Sequence, residues 1–134
     1  MELNVRAIIE VLGFPVEHVD ETMKRVVEKL KTEEGFKVLK ETVVPAEKVK
    51  EMFSSFCEVE VKLTDLGKLN YLCLHYLPSS IEILDVENVT FTAREFTQYL
   101  NDLIAVVHQY NMLVANANAQ NQMLKEKLEN PAGI

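Results

Sequence analysis

From Leu103 to Leu124 the chain has no Asp, Glu, Lys or Arg, yet its apolar residues keep helical spacing throughout. Phe96, Tyr99, Leu103, Val106, Tyr110, Leu113, Ala117, Gln120 and Leu124 are separated by 3, 4, 3, 4, 3, 4, 3 and 4 residues. That is an a/d heptad register. Leu100, Val107, Val114, Asn121 and Leu128 fall at e and widen the stripe. Ile104, Ala105, Met112 and Ala119 make a second apolar flank. Thr92 followed by Glu95 is a capping box, so the helix is predicted to run from residue 92 to about 129. A helix of that length spans about 55 Å at ~1.5 Å per residue. A compact domain of this chain length is only ~35–40 Å across. The second half of the helix is therefore expected to project or to pack on another chain.

A projecting helix ordinarily keeps charged faces for solubility and for i,i+4 pairs. Here Asn and Gln stand where charges would. Amides hydrogen-bond to one another without the desolvation cost of an ion. Ala115, Ala117 and Ala119 allow close approach of another backbone. A polar residue at a core position also fixes helix register and copy number. The expectation is an interface between helices of an oligomer, carried by Tyr99, Leu103, Val106, Tyr110, Leu113, Val114, Ala117, Gln120, Asn121 and Leu124. Two other readings compete with it. The amides could coat an exposed helix of a single chain, or line a low-charge groove for a ligand or peptide.

The residues before the helix alternate between strand and helix patterns. Leu3, Val5, Ala7, Ile9 and Val11 point one way and Asn4, Arg6, Ile8 and Glu10 the other, a period of two. Gly13-Phe14-Pro15 ends that strand. Val19, Met23, Val26, Val27 and Leu30 predict a helix over 16–32. Phe36 to Val44 reads as a strand, and Pro45 as the start of a short helix over 46–54 with Val49, Met52 and Phe53 on one side. Cys57, Val59, Val61 and Leu63 alternate with Glu58, Glu60 and Lys62, another strand. Leu66, Leu69, Leu72, Cys73, Tyr76 and Leu77 predict a helix, broken by Pro78-Ser79-Ser80. Ile81 to Leu84 reads as a fourth strand, with Val89-Thr90-Phe91 as an extension or a separate extended stretch. Four strands with two crossover helices in this order predict an α+β, ferredoxin-like split β-α-β sandwich. Its four-stranded antiparallel sheet would carry both helices on one face. The expected organisation is that domain over 1–91, the long helix over 92–129, and a frayed tail over 130–134.

Charge narrows the function classes. Lys and Arg number 14 against 21 Asp and Glu, a net charge of −7. No partner that is a nucleic acid is expected, because phosphates demand Lys and Arg. An anionic membrane surface is disfavoured for the same reason. The uncharged run is a poor span, with His, Gln or Asn at eight of its 22 positions. The N-terminus lacks the basic start and apolar run of a signal peptide. Cys57 and Cys73 lie on apolar faces and read as reduced thiols of a cytoplasmic protein.

The spacing of the potentially reactive residues assigns no chemistry. His18, His75 and His108 fall on three different helices, with no CxxC, HxxxH or HExxH pattern. His108 reads as a structural histidine beside Val107 and Tyr110. Ser79 and Ser80 read as a helix terminator and turn rather than nucleophiles. There is no glycine-rich phosphate loop. An acylphosphatase-like activity would need an arginine between Leu12 and His18, where none stands. An RNA-recognition motif would need aromatics where the third strand has Glu58, Glu60 and Lys62. A small-molecule sensor of ACT type stays open, on the strength of Gly13 before the first helix. No catalytic residue, metal ligand or cofactor is expected, and an enzyme is the least favoured of the three readings, behind an interaction protein and a ligand sensor.

The chain resembles a family of small uncharacterised archaeal proteins. The resemblance is carried by Gly13-Phe14-Pro15 with its acidic helix and by Pro78-Ser79-Ser80-Ile81-Glu82-Ile83. Leu100-Asn101-Asp102-Leu103, leading through His108 and Tyr110, completes it. It implies an archaeal, cytoplasmic setting and brings no activity with it. The combined expectation is a homo-oligomeric interaction or scaffold protein, with ACT-like ligand sensing as the alternative.

Overall fold

Alternation decides the first strand. In the computed structural model, which describes residues 2–131, Leu3, Val5, Ala7 and Ile9 of strand β1 (Leu3–Gly13) are buried on one face of a sheet. Helix α1 (Val16–Thr32) covers that face with Val19, Met23, Val27 and Leu30, all buried. Its spacing puts these four on one stripe, with Glu17 in the first turn and Lys29 and Lys31 in the last, as the helix dipole favours. Full burial of four such side chains contributes roughly 6–12 kcal/mol gross, at about 1.5–3 kcal/mol each.

Strands β2 (Phe36–Val49) and β3 (Met52–Leu63) form a long antiparallel hairpin. Helix α2 (Leu66–Tyr76) starts at Asp65, whose carboxylate accepts from the Lys68 N–H at 3.0 Å. It ends at Leu77 in the left-handed region, φ 47°. Strand β4 (Ser80–Leu84) closes the sheet in the order β2-β3-β1-β4, with every pairing antiparallel. Leu72 of α2 and Met23, Val27 and Leu30 of α1 share one core cluster with the alternate residues of β1 and β3, so both helices lie on the same face. This is the expected α+β, ferredoxin-like arrangement, completed by the long helix α3 (Ala93–Glu129).

One element differs in kind. The short helix expected over 46–54 is instead the distal half of the β2–β3 hairpin, turning at Lys50 (φ 57°) and Glu51. Val49, Met52 and Phe53 have helical spacing, but Val49 pairs with Met52 across the turn and Phe53 with Lys48 and Gly13. Pro45 is tolerated because the ladder bulges between Val44 and Glu47 on the edge strand, where no N–H is demanded of it. Asp20 of α1 accepts from the bulged Ala46 N–H at 2.8 Å, and Ser55 donates to the Val44 carbonyl at 2.8 Å. Val89-Thr90-Phe91 forms no strand; Asp85 (φ 65°) turns the chain after β4.

The chain divides into two compact units between Glu95 and Phe96. Of the tail expected over 130–134, Asn130 still donates its N–H to the Glu126 carbonyl at 2.9 Å, and residues 132–134 lie outside the described residues.

Candidate functional site

Two clusters in the first unit hold the scaffold together. At the far end of α1, Glu33 accepts from the Tyr76 hydroxyl at 2.7 Å and from the Tyr71 hydroxyl at 3.4 Å. The Phe36 ring meets Tyr71 edge-on at 6.1 Å and tilts against Tyr76 at 6.4 Å, while Lys29 Nζ lies 5.7 Å from the Tyr76 ring centre. Burial, and then the Glu33 carboxylate, push the Tyr76 phenol well above the usual tyrosine range. This latch ties α2 to the end of α1. Gly35 beside it has φ +80°, and a Cβ there would fall 2.7 Å from Lys68 Cε and 2.8 Å from Thr64 Oγ1.

On the sheet face opposite α1 and α2, Arg6 reaches Glu58, Glu60 and Glu82 at 3.2, 3.2 and 3.0 Å. Register explains the meeting, since Arg6 pairs with Glu60 on one side and Glu82 on the other. The hydrogen bond to Glu60, ahead of the other charges, raises the guanidinium pKa further. Asn4 donates to Asp85 and Ser54 to Glu10 on the same face. These are cross-strand ties in which one guanidinium bridges three carboxylates, so the cluster keeps a net negative charge.

The histidines, the Ser79–Ser80 pair and the cysteines form no common site among the described residues. His75 stacks on Tyr71 at 4.3 Å, and Ser79 donates both N–H and hydroxyl to the Ile8 carbonyl at 2.7 and 3.2 Å. His108 is exposed, so its expected structural packing is not found. Cys57 is buried and Cys73 half-buried; both are free thiols, and burial raises both pKa values. Among the described residues no group of three or more His, Cys, Asp or Glu could hold a metal ion.

The residues that do gather on one element are those of α3. Thr92 and Glu95 make the reciprocal capping box, Glu95 N–H to Thr92 Oγ1 at 3.1 Å and Thr92 N–H to Glu95 Oε1 at 3.0 Å. From that start, 37 residues run in one α-helix with none buried. Leu103 and Val106 are half-covered. Tyr99, Tyr110, Leu113, Val114 and Leu124 are 39%, 47%, 62%, 57% and 57% exposed, and Ala117, Gln120 and Asn121 are exposed as well. Twelve large apolar side chains of this helix stand exposed. Exposed apolar surface on that scale marks an interaction site more often than a bare surface. Among the described residues no helix is long and apolar enough to cross a membrane.

A second apolar surface was not read from the sequence. Leu12, Val44, Val49, Met52 and Phe56 are exposed on one sheet face at the distal end of the hairpin, while exposed Val43 pairs with Cys57 on the other face and Phe14 meets Phe53 at 6.2 Å. Reading 46–54 as a helix scattered these residues; the alternation of Val44, Phe56 and Leu12 on one sheet face was the signal available.

The chain belongs to the MJ0538 family, whose model matches residues 4–132. The match bears out the family resemblance read from the motifs around Gly13, Pro78 and Leu100. No curated protein matches the chain.

Proposed function

We propose that the chain, as a member of this family, self-associates through α3 and serves as a homo-oligomeric interaction or scaffold protein. One observation carries this reading: Leu103–Leu124 has no charged residue, and none of it is buried within the chain. A solvated helix face is normally charged. Amides and alanines instead suit contact with a second helix, which desolvates them without stranding an ion.

The magnitudes fit association. Half-exposed Leu, Val or Tyr side chains each recover roughly 1 kcal/mol on burial, about half the full value. Six from each of two copies give roughly 12 kcal/mol, comparable to the ~4–15 kcal/mol that association costs. Complex formation should therefore depend visibly on concentration. The ACT-like alternative rested on Gly13. A Cβ at Gly13 would meet Val19 Cγ2 at an ordinary 3.5 Å, so Gly13 marks no packing requirement of the chain, and the uncharged stretch of α3 is the stronger support. An archaeal, cytoplasmic setting accompanies the proposal, on the family resemblance and the two free thiols.

Sedimentation velocity over a micromolar concentration series tests it. The wild type should move from 15.3 kDa toward a multiple of that mass. A Tyr110→Glu, Leu113→Glu variant, which puts charge in the middle of the stripe, should stay at 15.3 kDa with unchanged helix content. A wild type that remains monomeric throughout would remove the proposal.

A further inference from the structure

The two flanks of the a/d seam on α3 differ in chemistry. The e positions are Leu100, Val107, Val114, Asn121 and Leu128, apolar but for one amide. The g positions Glu95, Asp102, Gln109 and Asn116 are all polar, with Met123 following them. In a parallel pair of helices, each e residue faces a g residue of its partner, and such flanking contacts set orientation. Val107 would then lie against Asp102 of the second copy, and Val114 against Gln109. Lys127, at a d position, would face its own copy.

Reversing one helix changes every one of these contacts. Flank e then faces e and flank g faces g. With the centre between Asn111 and Met112, each a residue falls beside a d residue: Tyr110 beside Leu113, Val106 beside Ala117, Tyr99 beside Leu124. Val107 meets Val114 on a dry flank, and Gln109 meets Asn116 on a wet one, amide to amide. The bulky first half of the stripe packs on the half that holds Ala117 and Gln120. Lys127 comes to the Phe96 ring, a favourable cation–π partner, in place of a like charge. The helix dipoles oppose rather than reinforce.

We infer that the occupant of the α3 face is α3 of a second copy, running antiparallel and centred between Asn111 and Met112. The inference rests on the self-association proposed above and adds its orientation and register.

Zero-length carboxylate–amine cross-linking of the native chain, with one copy isotopically labelled, reads it directly. Glu95 and Lys127 are about 48 Å apart along one helix at ~1.5 Å per residue, so a bond between them joins two copies. The expected result is a Glu95–Lys127 bond between labelled and unlabelled chains. Spin labels give a second readout, in a Cys57→Ala, Cys73→Ala background. Antiparallel pairing offsets labels at Arg94→Cys by about 52 Å along the axis and at His108→Cys by about 10 Å, taking ~1.5 Å per residue. An associated chain with equal short distances at both sites, and no Glu95–Lys127 bond, would overturn the orientation while leaving self-association standing. A monomer by mass would overturn both.

Discussion

Replacing Tyr76 by Phe removes one hydroxyl from the latch between α1 and α2 and leaves the ring packing intact. The lost contact is a 2.7 Å hydrogen bond to the Glu33 carboxylate. A hydrogen bond to a charged group contributes about 1.5–3 kcal/mol when well shielded. Both partners here are only half-buried, so solvent competes and about 1 kcal/mol is the expected loss. For a unit of this size that lowers Tm by roughly 4–8 °C. Urea unfolding of wild type, Tyr76→Phe, Glu33→Ala and the double variant would give the coupling directly. The pH dependence has a definite sign. The folded phenol has a raised pKa, so its contribution is complete below the unfolded value of about 10 and is lost as pH rises through the folded value. The stability gap between wild type and Tyr76→Phe should hold at neutral pH and shrink above about pH 10. If Tyr76→Phe loses as much stability in the Glu33→Ala background as in the wild type, the two groups are not coupled and the latch is refuted.

Gly35→Ala should lose about 1–2 kcal/mol by urea unfolding, since φ +80° is strained for alanine and the new Cβ meets Lys68 and Thr64. Gly13→Ala, with room for its Cβ at 3.5 Å from Val19, should lose clearly less in the same measurement. Thr92→Ala opens the capping box of α3 and should destabilise the start of that helix by about 1 kcal/mol. Faster amide exchange over residues 93–97 would report it, with exchange in the β-sheet unaltered.

What was legible in the sequence was local. The stripe of Val19, Met23, Val27 and Leu30 marked α1 to its ends, and the alternation from Leu3 marked β1, because each pattern repeats many times within one element. The heptads and the Thr92–Glu95 box marked α3 for the same reason. The distal hairpin departs from the expected helix because Pro45 with Val49, Met52 and Phe53 satisfies a helix as well as a bulged strand. The deciding contacts, Ser55 to Val44 and Asp20 to Ala46, are tertiary. Glu33 and Tyr76 are 43 residues apart, and Arg6 and Glu82 are 76 apart, so neither cluster has a sequence signature until strand register is known. The candidate interface needed no such register, since it lies on a single helix.

Whether α3 of one copy covers α3 of another is read most directly by hydrogen–deuterium exchange, resolved along the chain at low and high protein concentration. An exposed helix end opens easily, whereas a paired helix is protected in proportion to the population paired. Protection of Leu103–Leu124 that rises with concentration, while that of the β1–β3 core stays constant, is the predicted result. Exchange over Leu103–Leu124 that stays fast at every concentration, in a chain whose mass nonetheless grows, would place the contact elsewhere and contradict the account.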